Sequence, residues 1–175
     1  MEEVNVIARK DKILYYLGIA EAVAARGSCL KKRYGAVIVK DDTVIATGYV
    51  GSPRGCVNCT DIGMCPRLKV QRGTAYDTCV SVHAEMNCII SASREEMLYS
   101  TMYIYGYDLL AKRIVEHPSS CPICKRLIIN AGIEEVVFAD VDGIKVEGSD
   151  VPYGYTVVKV ADWVSDRNLI STVGY

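Results

Sequence analysis

The sequence predicts a single α/β layered domain, and three observations predict it. Two β-rich runs, GAVIVK (35–40) and TVIATGYV (43–50), are separated only by Asp41 and Asp42, which reads as an antiparallel hairpin. Further on, the chain alternates strand, helix and strand in TMYIYGY (101–107), CKRLIINAG (124–132) and IEEVVFAD (133–140), the pattern of a layered α/β domain. The length of 175 residues holds one sizeable core but would cramp two.

Each element has its own signal. DKILYYLGIAEAVAARGS (11–28) carries Ile13, Leu14, Leu17, Ala20, Val23 and Ala24 at helical spacing, and a helix is expected to end near Gly27. Residues 51–80 are rich in Cys, Gly and Pro without periodicity, a loop long enough to be functional or pinned. SVHAEMNCII (81–90), continued to about Met97, reads as one helix. The helix CKRLIINAG is stopped by Gly132. Residues 143–164 read either as a hairpin or as a strand with a short helix, and the polar tail 165–175 as loose.

Half the residues are apolar, 23% are charged, and the net charge is −1. This composition suits a globular protein, argues against a bulk electrostatic grip on nucleic acid, and leaves room only for a local basic patch. MEEVNVIARKDK lacks a secretory leader's apolar core. No apolar stretch approaches the roughly 18 residues of a membrane span. The expected location is the reducing cytoplasm, where the clustering of eight cysteines points to metal or catalysis before disulfides.

The chemistry concentrates in two motifs. His83 and Glu85 stand in H-A-E, and Cys121 and Cys124 in C-P-I-C. Thiolates with an imidazole suit zinc, and three protein ligands leave a fourth position for water, which separates a catalytic from a structural site. Cys121 and Cys124 can meet one ion from one turn, and the opening of a helix favours their thiolates. Glu85 lies on the same opening turn as His83, close enough to exchange a proton with a water activated there. Taken singly, His83 reads as a cap or core histidine and the cysteine pair as structural or redox. Together, at the starts of two predicted helices, they form the H-x-E and P-C-x-x-C pairing of zinc deaminases that act on nucleobases, although Ser120 stands here where that pattern has Pro.

Cys56, Cys59, Cys65 and Cys79 have two, five and thirteen residues between them. Four thiolates can close a tetrahedral structural zinc and pin the loop. The bland reading is that only some bind metal and the rest are small buried hydrophobes. Cys88 reads as core, and the role of Cys29 is open.

From about Leu14 to Asp140 the chain resembles the cytidine and deoxycytidylate deaminase superfamily, and within it the deoxycytidylate (dCMP) deaminase branch. The resemblance is carried by SCLKKRYGAVIVKDDTVIATGYVGSPRG (28–55), VHAEMN, CPIC and the Cys-rich insertion. It implies a three-layer α-β-α cytidine deaminase-like fold with a central mixed sheet of about five strands. It also implies hydrolysis of dCMP to dUMP and ammonia, which supplies the precursor of dTMP. Ala84 is expected to hold the base and the carbonyl of Ser120 to receive the amine. Ser119, Ser28 and Arg26 are expected around the nucleotide, with Arg26 and Ser28 at its phosphate; read alone, Arg-Gly-Ser is equally a polar helix exit. Val50 occupies a position where relatives carry an asparagine. The resemblance further implies a homo-oligomer, dimer or hexamer, and dCTP and dTTP effectors near Gly48 to Gly55. The alternatives are a deaminase of a free base, nucleoside, modified pyrimidine or tRNA adenosine, and a non-enzymatic zinc module; the acid at Glu85 speaks against the last.

Overall fold

The computed structural model describes residues 9–71, 74 and 76–166. Helix α1 (Lys12–Ala25) is capped by Asp11, whose carboxylate accepts from the Leu14 amide at 3.0 Å. Strands β1 (Lys32–Lys40) and β2 (Thr43–Tyr49) form the expected hairpin. Its two turn residues, Asp41 and Asp42, both take positive φ (47° and 63°), the left-handed conformation that Asp tolerates better than most residues. A short helix α2 (Cys59–Ile62) lies within the Cys-rich loop. There follow α3 (Ala84–Ile89), α4 (Arg94–Met97), β3 (Thr101–Asp108), the two-residue β4 (Arg113–Ile114), α5 (Pro122–Ala131), β5 (Glu135–Asp140), β6 (Gly154–Lys159) and α6 (Val160–Ser165).

The sheet runs β2-β1-β3-β5-β6, with β4 paired to the end of β3. Only β3 and β5 are parallel, and the crossover that joins them contains α5. The sheet is therefore mixed, as expected. It separates two cores. On one face α1 packs Leu14, Leu17, Ala20 and Ala24 against Val37, Val39, Tyr103 and Val137. On the other, α3 and α5 pack Ala84, Cys88 and Ile128 against Ala36, Ile38, Met102, Ile104 and Phe138. Three layers result, helix, sheet and helix.

Two glycines set how close the helices come. A Cβ on Gly35 would lie 2.1 Å from the Ala20 carbonyl oxygen of α1, and one on Gly48 would lie 2.2 Å from the Cys88 amide nitrogen of α3. Only glycine permits these contacts.

The single helix expected from Ser81 to about Met97 is instead two, the first beginning at Ala84. After Ile90 the chain turns, and Ser93 opens α4 with a capping box: its hydroxyl accepts from the Glu96 amide at 3.3 Å, and its own amide donates to the Glu96 carboxylate at 2.8 Å. The region 143–164 resolves as a strand followed directly by a short helix. Residues 167–175, most of the expected loose tail, lie outside the described residues, while Ser165 ends α6. Among the described residues, no helix is long and apolar enough to cross a membrane.

Candidate active site

His83 and Cys121 are the N-cap residues of α3 and α5, which pack against each other on the same face of the sheet. His83 is delivered by a short bridge: Gly51, just beyond β2, exchanges backbone hydrogen bonds of 3.1 and 2.7 Å with Val82. The loop 52–81 thus leaves and returns at one point. Cys121 is placed by Pro122, which opens α5, and by its own sulfur, which accepts from the Cys124 amide at 3.3 Å.

The result is a donor cluster. His83 Nδ1 lies 3.6 Å from Cys121 Sγ and 3.4 Å from Cys124 Sγ, and all three donor atoms fall within 4.8 Å of one another. A tetrahedral ion with Zn–S of about 2.3 Å and Zn–N of about 2.05 Å would hold nitrogen and sulfur about 3.6 Å apart. The donors fit zinc in type and in spacing. Both cysteines are buried, and the Cys124 thiol is raised well above its ordinary pKa by the hydrogen bond to Cys121 and by burial.

Glu85 is buried at 7% exposure. Burial pushes its carboxyl up, while the neighbouring His83 charge pulls it back. The His83 imidazole is itself raised: burial opposes its charged form, but the hydrogen bond to Cys121 and the charge of Glu85 outweigh that. Glu85 therefore sits beside the donor cluster as an acid able to carry a proton.

These groups open onto a cavity of about 280 Å³, lined by His83, Ala84, Glu85, Ser119 and Cys121 together with Val50 and Tyr34. Among the described residues, the cations Lys31, Lys32 and Arg67 also line it, and Glu85 is the only carboxylic acid that does. Lys31 Nζ donates to the Arg67 carbonyl at 3.3 Å and so ties the start of β1 to the Cys-rich loop. Lys32 faces Asp108 at 3.6 Å.

Residues 10–140 match the family model described as the cytidine and deoxycytidylate deaminase zinc-binding region. The chain belongs to the cytidine and deoxycytidylate deaminase family. It is 37% identical over 139 residues to the deoxycytidylate deaminase of Mycobacterium phage D29, covering 75% of this chain and 97% of that protein. It is 36% identical over 128 residues to the deoxycytidylate deaminase of Schizosaccharomyces pombe, covering 71% of this chain. The chain spans only 35% and 36% of the lengths of the Schizosaccharomyces pombe and Saccharomyces cerevisiae proteins. Its fold is that of the dCMP deaminase from cyanophage S-TIM5 solved with dCMP and dUMP, at a TM-score of 0.51 and 22% identity over 76% of this chain and 85% of that one.

Against this family frame, the sequence expectations divide. His83, Glu85, Cys121 and Cys124 come together, and Ala84, Val50 and Ser119 line the cavity. Ser120 is buried directly before Cys121 but is not on the cavity lining. Arg26 and Ser28 do not line it either: Arg26 ends α1 on the exposed surface, and Ser28 is buried with its amide bonded to the Val50 carbonyl at 3.0 Å. Among the loop cysteines, Cys59, Cys65 and Cys79 line the cavity, and Cys56 is exposed and outside it. Cys29 lines it instead. Among the described residues, no second group of three donors draws as close as the His83 cluster. Sequence reasoning missed Lys31, Lys32, Arg67 and Tyr34. Adjacent lysines ahead of a strand read as solvated charge, and only the loop's return path brings Arg67 inward.

Proposed function

We propose that this chain is a zinc-dependent deaminase that hydrolyses dCMP to dUMP and ammonia. The observation that carries the reading is the His83–Cys121–Cys124 cluster beside buried Glu85 in a cavity whose other charged groups, among the described residues, are cationic. When bound, zinc supplies the Lewis acidity that brings the pKa of water towards neutrality. His83, Cys121 and Cys124 would hold it. Glu85 takes one proton from the attacking water and gives it to the pyrimidine ring nitrogen, then takes the remaining proton of the hydroxyl added to the ring and gives it to the departing amine. The net change exchanges an amine for a carbonyl. In this reading the Ala84 backbone faces the base, and the Ser120 carbonyl, whose residue is off the cavity lining, is the expected acceptor of the departing amine. Relatives named deoxycytidylate deaminase support the substrate.

A monophosphate needs cationic donors, and the rim formed by Lys31, Lys32 and Arg67 with Ser119 supplies them better than the exposed Arg26. A panel of cytosine, cytidine, deoxycytidine, CMP, dCMP and adenosine compounds, scored for ammonia release, tests the reading. Turnover of deoxycytidine with none of dCMP would reject the nucleotide and leave the zinc chemistry in place.

A second, structural zinc belongs to the same proposal. Cys29, Cys59, Cys65 and Cys79 all line the cavity, and the Cys59 thiol is raised by burial first, against a lowering hydrogen bond with Ser81, with smaller upward contributions from Cys29, Cys65 and Cys79. This favours Cys29 over Cys56 as the fourth ligand. Metal analysis should give about two zincs per chain. Cys29→Ser should remove one and Cys56→Ser none; the reverse pattern would restore the set Cys56, Cys59, Cys65 and Cys79. The homo-oligomer and the dCTP and dTTP effectors rest on the resemblance, and sizing with and without each nucleotide tests both.

A further inference from the structure

We propose that Tyr34 is the flat wall on which the substrate's pyrimidine ring stacks, and that Gly106 is the positioning residue that sets its angle. The inference rests on the nucleotide reading above. Tyr34 of β1 pairs directly across the sheet with Gly106 of β3. Its ring lies over that glycine: a Cβ on Gly106 would come 2.4 Å from Tyr34 Cε1 and 2.8 Å from Cδ1. An aromatic residue covering a cross-strand glycine is held along the sheet rather than upright on it. The ring is half-buried, packed against the core on the α3 and α5 face.

That ring also lines the cavity containing His83, Ala84 and Glu85. Among the described lining residues it is the only six-membered aromatic ring; His83 is the other flat group, and its Nδ1 faces the two sulfurs. Val50, the apolar residue beside it on the lining, is fixed to the same stretch of backbone, its amide donating to the Tyr34 carbonyl at 3.0 Å. A planar heteroaromatic ring brought to Glu85 gains most from a face of matching shape, and contact of a base with an aromatic side chain typically changes binding by about 5- to 100-fold. The other described lining residues offer thiols, hydroxyls, aliphatic groups and flexible cations, and no equivalent surface.

The test compares Tyr34→Phe, Tyr34→Leu, Gly106→Ala and the double variant Tyr34→Leu with Gly106→Ala. Each is purified with zinc and assayed on the pyrimidine compound that the wild type turns over best. Tyr34→Phe should stay within about twofold of the wild-type KM, because it keeps the face. Tyr34→Leu keeps an apolar side chain for folding but loses the face, and KM should rise about tenfold or more with kcat and zinc content little changed. Gly106→Ala collides with the ring and not with backbone, so the fold is preserved, and KM should rise through the displaced ring. In the Tyr34→Leu background that rise should disappear, the non-additivity expected of two groups acting through one contact. A Leu variant that binds as tightly as the wild type would overturn the proposal, as would a Gly106→Ala effect that persists without the tyrosine ring. A wild type inactive on dCMP but active on another pyrimidine would reject the substrate reading and leave this comparison intact.

Discussion

Placing a methyl group on Gly48 should disable the site from beneath, without touching a ligand. Gly48 lies on β2 under α3, and a Cβ there would sit 2.2 Å from the Cys88 amide nitrogen, 2.4 Å from the Ala84 carbonyl oxygen and 2.7 Å from the Asn87 carbonyl carbon. All three are backbone atoms of the helix that carries Glu85 and is capped by His83, so no side chain can rotate away. Ordinary contact requires α3 to retreat by roughly 1 Å. Overpacking of this kind typically costs about 1–3 kcal/mol of stability. A displacement of about 1 Å in catalytic groups typically costs about 100-fold in rate. Gly48→Ala should therefore fold less stably, hold the His83–Cys121–Cys124 zinc more weakly and lose about 100-fold in kcat. Gly35→Ala is the matched control. It drives a Cβ to 2.1 Å from the Ala20 carbonyl oxygen and 2.4 Å from the Ala24 amide nitrogen, on the opposite face of the sheet. It should cost similar stability, while the folded, zinc-loaded protein keeps most of its kcat. Urea unfolding, zinc content and ammonia release on both variants decide the matter. Wild-type kcat in Gly48→Ala, or equal kcat losses in the two variants, would refute the seating of α3 on Gly48 as the control on site geometry.

Glu85→Gln should keep the volume and the zinc yet lose nearly all turnover; a variant that retained turnover would remove Glu85 as the proton carrier. Arg67→Ala should weaken dCMP by about 10- to 100-fold, the worth of a charge-assisted hydrogen bond, and barely change any turnover of deoxycytidine. Arg26→Ala, outside the cavity, should leave both unchanged, and the opposite ranking in KM would return the phosphate to the end of α1. Tyr16 donates a hydrogen bond to Asp42, and this bond, together with burial, raises its phenol from 10.0 to about 12. The unfolded chain then loses that proton at lower pH than the native one, so the contribution is complete below about pH 10 and is lost as pH rises towards 12. In urea titrations across that range, Tyr16→Phe should show a shallower fall than the wild type; an unchanged slope would remove Tyr16 from the alkaline transition.

Much of this architecture is legible because its signals are local. The hairpin turn needs two residues that tolerate positive φ, and Asp41-Asp42 supplies them. Gly132 stops α5 in the left-handed conformation, at φ 81°, as its place after the apolar run suggests. The break between α3 and α4 was legible too, in Ser93 followed three residues later by Glu96, but the apolar continuity of Ile89, Ile90 and Ala92 masks it. What a local reading could not supply is the composition of the cavity rim. Arg26 and Lys31 are close in sequence and both basic, yet only Lys31 faces the cavity, because Ser28 is drawn inward to the Val50 carbonyl between them. Arg67 is placed by a loop with little regular structure, where periodicity carries no information.

The four residues of the donor cluster and its acid were legible for a further reason, which lies in helix starts. His83 and Cys121 are both N-caps, positions outside the helix whose side chains escape the packing demands placed on interior residues. Cys124 and Glu85 follow on the first turns, where backbone amides lack helical partners and favour negative charge. A thiolate and a carboxylate are the groups such turns stabilise, and the Cys124 amide already donates to Cys121 Sγ. Each motif thus has its spacing fixed by one helical turn, and the sheet has only to bring two such turns together. Gly48 does so by letting α3 settle onto β2, and the crossover from β3 to β5 sets α5 beside it. On the proposed reading the chemistry is therefore written in at most four contiguous residues per motif, while specificity is assembled from β1, the hairpin exit and the Cys-rich loop. Changes at Tyr34, Val50 or Arg67 should accordingly alter which pyrimidine is accepted while leaving the metal and proton chemistry intact. A single substitution at any of the three that abolished zinc binding would show that this division between chemistry and specificity is not built into the fold.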